Sequence, residues 1–222
     1  MMYAVYGFLF GFVIPYLGRR FNKFMPATFA YALVRIFKPV KVSKKNSMKK
    51  KELVSQYFWR SFMYGLVNAA FSFLAFYLFG EEYIWWSLAF IWILLLLAEV
   101  DLRMQLLPDI LTLPLLLLGF AFAVFVGQWV GSVDSIIGAL VGYFLPVIAS
   151  LFFVWKKPDA FGGGDVKLLS AVGAWVGFEL LMYVIVLSTV FFFIEALARG
   201  RRIGAYGPSI ALASIVIAFC FF

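Results

Sequence analysis

Long apolar stretches separated by short polar segments are the dominant pattern of this chain. Eight of them are predicted to be membrane-spanning helices, at residues 3–18, 58–79, 83–100, 111–127, 135–155, 166–177, 180–198 and 204–222. A spanning helix needs about 20 mainly apolar residues, whereas a transmembrane barrel would show short segments that alternate apolar and polar residues. The pattern therefore predicts an all-α fold, a polytopic membrane helix bundle of about eight transmembrane helices in a single membrane domain, residues 1–222.

The composition supports this prediction. Hydrophobic residues make up 65% of the 222 residues and charged residues 14%, against roughly 45–50% and roughly 25% in soluble domains. A soluble fold of this size would need far more polar surface. The lipid bilayer is therefore the expected environment, and no nucleic-acid partner is predicted.

Lysine and arginine are concentrated on one side of the predicted helices. Segment 19–60 contains twelve of the nineteen, and the others follow the third, fifth and seventh predicted helices. Because positive residues accumulate in cytoplasmic loops, residues 19–57 are predicted to form a basic cytoplasmic loop, with both termini outside. Within this loop, residues 25–37 are predicted to lie at the interface as an amphipathic helix, and the polybasic segment 38–51 to attract anionic lipid.

Two residue types that serve many enzymes are missing or scarce. The chain has no histidine and one cysteine, Cys220, which lies in an apolar run. Nucleophile–histidine pairs and histidine-bound zinc are therefore excluded, and no disulfide within the chain is possible. No metal site is predicted.

Acidic residues at membrane depth are costly and by default indicate function. Five of the eleven cluster at the predicted cytoplasmic face: Glu99, Asp101, Asp109, Asp159 and Asp165. Asp109 follows Pro108 and is predicted to be the N-cap of the next helix. Asp165 follows three glycines, and helix capping is an alternative for it; pairing with Arg103 or Lys157 is an alternative for Asp101.

Asp101 and Asp165 are 64 residues apart, yet the predicted topology places both at one face of the membrane. Two carboxyl groups about 3 Å apart cannot both ionise readily, so one retains a proton. Such a pair can activate water with one acid and protonate a leaving amine with the other. Peptide hydrolysis by two aspartates needs no histidine, cysteine or metal.

The segments around these two acids resemble those of the type IV prepilin peptidases, which are membrane aspartic proteases with a GxGD motif. The first reads DLRMQLLPDILTLP at 101–114, and the second reads GGGDVKLLSAVGAWVG at 162–177. The resemblance covers roughly residues 90–215, which it implies to be the catalytic core. It implies that Asp101 and Asp165 are catalytic, that Gly162 and Gly164 are the fixed glycines and that Gly163 is the variable position.

The same resemblance implies an aspartic endopeptidase that removes the short basic leader of prepilin or pseudopilin precursors at the bacterial inner membrane. Asp109 and Lys167 would support the two motifs. Proteolysis would need no cofactor, and S-adenosylmethionine would be needed only for N-methylation of the new N-terminus. Methylation is not the expected activity, because the first cytoplasmic loop lacks the paired CxxC motifs of many members.

One further expectation concerns how the substrate is recognised, and two alternative functions are considered beside the peptidase. A basic leader is expected to be read by the acidic residues Glu99, Asp101, Asp109 and Asp159. One alternative function is a small transporter whose acids carry a proton or cation. Another is a non-catalytic assembly factor of a pilus or secretion system.

Overall fold

The computed structural model describes residues 1–24, 47–127, 129–153, 162–199 and 204–221. These residues form helices joined by short connections, and the described ranges contain no strand. The helices are α1 (Met2–Phe24), α2 (Ser47–Met104), α3 (Asp109–Phe125), α4 (Ser132–Phe153), α5 (Gly163–Arg199) and α6 (Gly207–Phe221). The all-α prediction is confirmed. The interfacial helix predicted at 25–37 lies outside the described residues.

Two of these helices contain a break at a glycine. Gly80 in α2 has φ 70° and ψ −171°, and Gly177 in α5 has φ 76° and ψ −179°. This backbone conformation is almost restricted to glycine. The breaks fall where the sequence pattern predicted loops between separate helices, at 80–82 and 177–179. In the described part of the chain six helices thus cover the eight predicted ones, because the chain passes both sites without leaving the helix for more than one residue.

Three helical segments of the described chain are long and apolar enough to cross a membrane: Ser55–Met104, Ser132–Leu151 and Gly163–Ala198. Helices α3 and α6 are also apolar but shorter. A straight helix of 50 residues, the length of Ser55–Met104, would measure about 75 Å, more than twice the hydrocarbon core of about 30 Å. The break at Gly80 is what allows this segment to turn. The number of crossings, about eight, stays a prediction.

The predicted basic loop at 19–57 is partly helical. Helix α1 continues to Phe24, and α2 begins at Ser47. Helices commonly continue past the apolar layer, because their backbone hydrogen bonds are satisfied internally on either side of the membrane boundary. Residues 25–46, in the middle of that loop, lie outside the described residues.

The chain divides into two compact units, Met1–Arg103 and Met104–Phe222. In the first unit, α1 packs closely on α2. A side-chain Cβ at Gly11 would come within 2.8 Å of the Asn68 Cβ atom, so small residues let the two backbones approach, as in other membrane helix pairs. The Asn68 amide donates a 2.8 Å hydrogen bond to the carbonyl oxygen of Gly7. The Phe10 and Trp92 rings stack 4.5 Å apart.

In the second unit, the first half of α5 is the central element. It packs against α3, α4 and α6, and residues 168–177 are buried without interruption. Its polar groups meet partners across these contacts: the Trp175 indole donates to the Leu115 carbonyl oxygen at 2.7 Å, and the Ser135 hydroxyl donates to the Ala174 carbonyl oxygen at 2.6 Å. This packing fixes the N-terminal end of α5, where Gly163 and Asp165 lie.

Candidate active site

Asp101 lies in the last turn of α2, at the end of the apolar run IWILLLLAEV. Its side chain is buried, with 4% of the residue exposed. The helix ends because Gln105 adopts a left-handed conformation with φ 52°, and Pro108, with φ −75° and ψ 134°, is extended. A left-handed residue directly after a helix is a common terminator. Asp101 is therefore held on a rigid helical turn rather than on a loop.

Asp165 lies in the first turn of α5, the third residue of the helix. Its backbone N–H donates to the Gly162 carbonyl oxygen at 3.0 Å, and its side-chain oxygen Oδ2 lies against Gly162, 3.1 Å from where a Cβ would be. The side chain is half-buried. The N-terminal end of a helix stabilises negative charge, so this position suits a carboxylate.

The three glycines before Asp165 are not equivalent. A Cβ at Gly164 would lie 2.9 Å from the Leu107 Cβ atom and 3.2 Å from the Leu107 nitrogen, which leaves no room for it. A Cβ at Gly163 would meet nothing within 4 Å. Space is therefore restricted at Gly164 and at Gly162, beside the aspartate, but not at Gly163. The two restricted positions are the ones that the resemblance implies to be fixed.

The two motif segments contact each other within the second unit. Gly164 packs on Leu107, as described above. The Lys167 ammonium group also forms an ion pair with the Asp109 carboxylate at 2.6 Å, with side chains 45% and 54% exposed. Four residues of the predicted motifs, including the pair Asp109 and Lys167 at 58 positions apart, are thus brought together by the packing of α5 on the segment that begins α3.

Both capping interpretations are wrong in position. Helix α3 begins at Asp109, and its N-cap is Pro108, without a side-chain capping hydrogen bond. Asp109 instead binds Lys167. Helix α5 begins at Gly163, so Asp165 is inside the helix rather than at its cap. Each helix therefore begins earlier than the sequence predicts. Helix α3 begins at the acid itself, after Pro108, and α5 begins two residues before the acid, at Gly163.

Glu99 is a structural acid rather than a surface for a basic leader. It is fully buried, and its carboxylate accepts hydrogen bonds from Arg60 at 2.7 Å, from Tyr64 at 2.6 Å and from Arg103 at 2.6 Å. The pairing of Arg103 with Asp101 considered above is replaced by this contact with Glu99. The expectation that Glu99 reads a leader is therefore wrong, because its oxygens are engaged and enclosed. Asp159 and Lys157 lie outside the described residues.

The sequence did not identify Arg60 and Tyr64, which donate hydrogen bonds to Glu99, as functional residues. Arg60 and Tyr64 lie in the first half of α2. Gly18 in α1 packs directly on Glu99: a Cβ at Gly18 would lie 2.8 Å from the Glu99 Cγ atom. The available signal was the acid itself, because a glutamate inside an apolar run requires a cationic partner. Which arginine supplies it cannot be read from sequence spacing alone.

Metal ligands do not cluster in the described ranges: no three histidine, cysteine, aspartate or glutamate side chains there lie close enough to hold an ion.

A model of the type IV leader peptidase family matches residues 88–197, a range that includes both motifs. Among curated proteins, a prepilin leader peptidase/N-methyltransferase of Aeromonas hydrophila is 42% identical over 107 residues, which are 47% of this chain and 36% of the relative. No solved structure matches.

Two other relatives carry the same name. The protein of Dichelobacter nodosus is 38% identical over 131 residues, 57% of this chain and 46% of the relative. The protein of Escherichia coli K12 is 37% identical over 131 residues, 55% of this chain and 57% of the relative. The chain thus spans between about a third and somewhat more than half of the length of these relatives. The matched region, residues 88–197, carries both aspartate motifs and belongs to the type IV leader peptidase family.

Proposed function

We propose that this protein is a membrane aspartic endopeptidase that removes the short basic leader of prepilin or pseudopilin precursors, with Asp101 and Asp165 as its catalytic residues. The observation that carries the proposal is the contact between the two motif segments, where Gly164 packs on Leu107 and Lys167 binds Asp109. The printed names of the relatives, which describe leader peptidases, support the same activity.

The proposed chemistry is general acid and base catalysis by two carboxyl groups. One aspartate is ionised and takes a proton from a water molecule as the water attacks the carbonyl carbon of the scissile amide. The other aspartate is protonated and gives its proton to the amide, so that the leaving amine departs neutral. We assign the base role to Asp165, because it lies at the N-terminal end of α5, where the helix dipole favours negative charge.

The rigidity of both acids supports this assignment. Asp101 is buried on a helical turn, and Asp165 is held in the first turn of α5, whose residues 168–177 are buried. Catalytic groups on helices are placed more precisely than groups on loops. Removing either carboxyl group would leave the helices in place while removing one half of the proton transfer.

The substrate and the orientation belong to the same proposal. The cluster of basic residues at 19–60 supports a cytoplasmic position for that side of the protein in the bacterial inner membrane, with both termini outside. The cut would fall between the basic leader and the apolar helix of the precursor, at the membrane surface. S-adenosylmethionine would serve only an additional N-methylation, which is the second activity in the relatives' printed names and is not proposed here.

The test is cleavage of a pilin-like precursor by the purified full chain in detergent or nanodiscs, followed by mass spectrometry of the products. The Asp101→Asn and Asp165→Asn variants are expected to accumulate normally and to lose cleavage at least about a thousandfold. Asp134→Asn is the matched control, because it makes the same chemical change at an exposed acid beside Gly177 and keeps an oxygen acceptor. It is expected to cleave at the wild-type rate.

Two outcomes would overturn the proposal. Substantial cleavage by either aspartate variant would remove it from the catalytic pair. Absence of cleavage by the folded wild-type protein, with several precursors, would favour a non-catalytic assembly factor. The transporter alternative is not favoured, because the family match and the motif geometry point to peptidase chemistry, and Glu99, the fully buried acid of α2, is fixed by two arginines.

A further inference from the structure

Three arginines meet at one end of the N-terminal unit, and we call Arg19, Arg60 and Arg103 the arginine cluster. Arg60 and Arg103 both bind the Glu99 carboxylate. The Arg19 guanidinium lies over the Tyr57 ring, 3.2 Å from its centre. Partial burial lowers the pKa of Arg19, and the positive charges of Arg103 and Arg60 lower it further. Gly18, which directly precedes Arg19, packs on the same group: a Cβ there would lie 2.8 Å from the Glu99 Cγ atom and 3.5 Å from the Arg103 Nε atom. The third arginine therefore lies beside the other two.

The charges of this cluster do not balance. The cluster holds three guanidinium groups, which stay protonated at any physiological pH, and the single carboxylate of Glu99, which Arg60 and Arg103 bind. Arg20 and Asp101, which neighbour Arg19 and Arg103 along the chain, offset each other in formal charge. Two positive charges therefore remain in excess. At the edge of an apolar region such an excess is costly unless an anion is bound.

The cluster is open on the side away from Glu99. Glu99 is 0% exposed, whereas the side chains of Arg60 and Arg103 are 43% and 18% exposed, and Arg19 is exposed. Each guanidinium carries five N–H donors, and the hydrogen bonds and ion pairs to Glu99 engage one nitrogen of Arg60 and two of Arg103. Donors are thus available for a second anion. The planar fork of a guanidinium matches the oxygen atoms of a phosphate group.

The position of the cluster indicates where the anion comes from. Arg19 directly follows the predicted span 3–18, Arg60 lies two residues inside the span 58–79, and Arg103 lies three residues beyond the span 83–100. All three are therefore at the boundary of predicted spans, at the depth of lipid headgroups. We propose that the arginine cluster binds the phosphate of a phospholipid whose headgroup carries two negative charges. The site is independent of the peptidase chemistry.

The test compares lipids of different headgroup charge. The full chain in detergent is titrated with phosphatidic acid, phosphatidylglycerol or phosphatidylcholine, and bound lipid is counted by native mass spectrometry. Phosphatidic acid is expected to bind at least about fivefold more tightly than phosphatidylglycerol, since each additional charge at a basic site adds roughly a factor of five. Equal binding of these two anionic lipids would overturn the proposal.

Variants then locate the site. Arg19→Gln is expected to abolish the preference for phosphatidic acid without exposing Glu99, because Arg19 is not one of the arginines bound to that carboxylate. Arg19→Lys is expected to retain part of the preference, because it keeps the charge and loses the fork. Lys49→Gln is the matched control: it removes one charge from the basic segment 38–51 and is expected to leave the preference unchanged.

Two further results decide between the sources of phosphate. The same fall in preference for Lys49→Gln as for Arg19→Gln would show general attraction to the basic segment and would overturn the site. Displacement of phosphatidic acid by millimolar inorganic phosphate would identify a site for soluble phosphate and would overturn the lipid assignment. Unchanged lipid binding at that concentration supports it. Unfolding midpoints of all variants, measured in the same detergent, confirm that each one is folded.

Discussion

The hydroxyl group of Tyr64 donates a 2.6 Å hydrogen bond to the carboxylate of Glu99, which is fully buried. The two residues are 35 positions apart and lie on opposite sides of the break at Gly80. Their contact therefore ties the two halves of α2 together. Because Asp101 follows Glu99 by two residues, the same contact holds the turn that carries the first proposed catalytic acid.

Replacing Tyr64 with phenylalanine removes this hydrogen bond and little else. A hydrogen bond to a charged group contributes about 1.5–3 kcal/mol, so Tyr64→Phe is expected to lower the free energy of unfolding by that amount, measured by denaturant titration in detergent. Tyr77→Phe is the control, because Tyr77 lies on the same helix and is 78% exposed. Equal stability of the two variants would show that the hydrogen bond from Tyr64 to Glu99 does not stabilise the fold.

Alanine substitutions at two neighbouring glycines distinguish the effect of a packing clash from the effect of alanine on the stability of the helix. Gly163 and Gly164 are both in the first turn of α5, but only a Cβ at Gly164 would contact Leu107. Gly164→Ala is expected to cost about 1–3 kcal/mol through overpacking and to reduce cleavage. Gly163→Ala is expected to leave both properties near wild type. A wild-type rate for Gly164→Ala would show that the two motif segments need not touch.

The two helix breaks make a second matched pair. Gly80 and Gly177 have almost the same backbone angles, so alanine costs about 1–3 kcal/mol in conformational strain at either. At Gly177 the new Cβ would also collide with the Asp134 carboxylate, whereas at Gly80 it would meet nothing within 4 Å. Gly177→Ala is therefore expected to lower the unfolding midpoint more than Gly80→Ala does. The opposite order would contradict the packing described here.

The Asp109–Lys167 ion pair is expected to contribute little to stability. Its side chains are about half exposed, and exposed pairs contribute about 0.2–1 kcal/mol. A double-mutant cycle with Asp109→Asn and Lys167→Met should give a coupling in that range. The coupling should disappear near 1 M salt, where the screening length falls to about 3 Å. A coupling well above this range, or one insensitive to salt, would show that the pair is more enclosed than the structure indicates.

Several features of the fold followed from the sequence, because they depend on local pattern. Apolar runs of sufficient length can only be helices in lipid, so the all-α fold was predicted correctly. The glycines at 80 and 177 were correctly placed at interruptions, since both stand between apolar runs beside acidic residues. Whether each interruption is a loop or a one-residue break depends on how the following N–H groups are satisfied. At Gly177, Asp134 accepts the Phe178 N–H at 3.1 Å, a contact 44 residues away in sequence.

For the candidate site, too, some features followed from the sequence and others only from the tertiary structure. The sequence by itself singled out Asp101 and Asp165 as the proposed catalytic residues, because two aspartates stand in distinctive surroundings and the chain has no histidine. Only the tertiary structure decided the partners of each charge: Glu99 with Arg60 and Tyr64, and Asp109 with Lys167 rather than with a helix end. The reason is physical. A residue type and its local pattern fix the cost of burying a charge, but the group that offsets the cost comes from whichever distant helix packs against it.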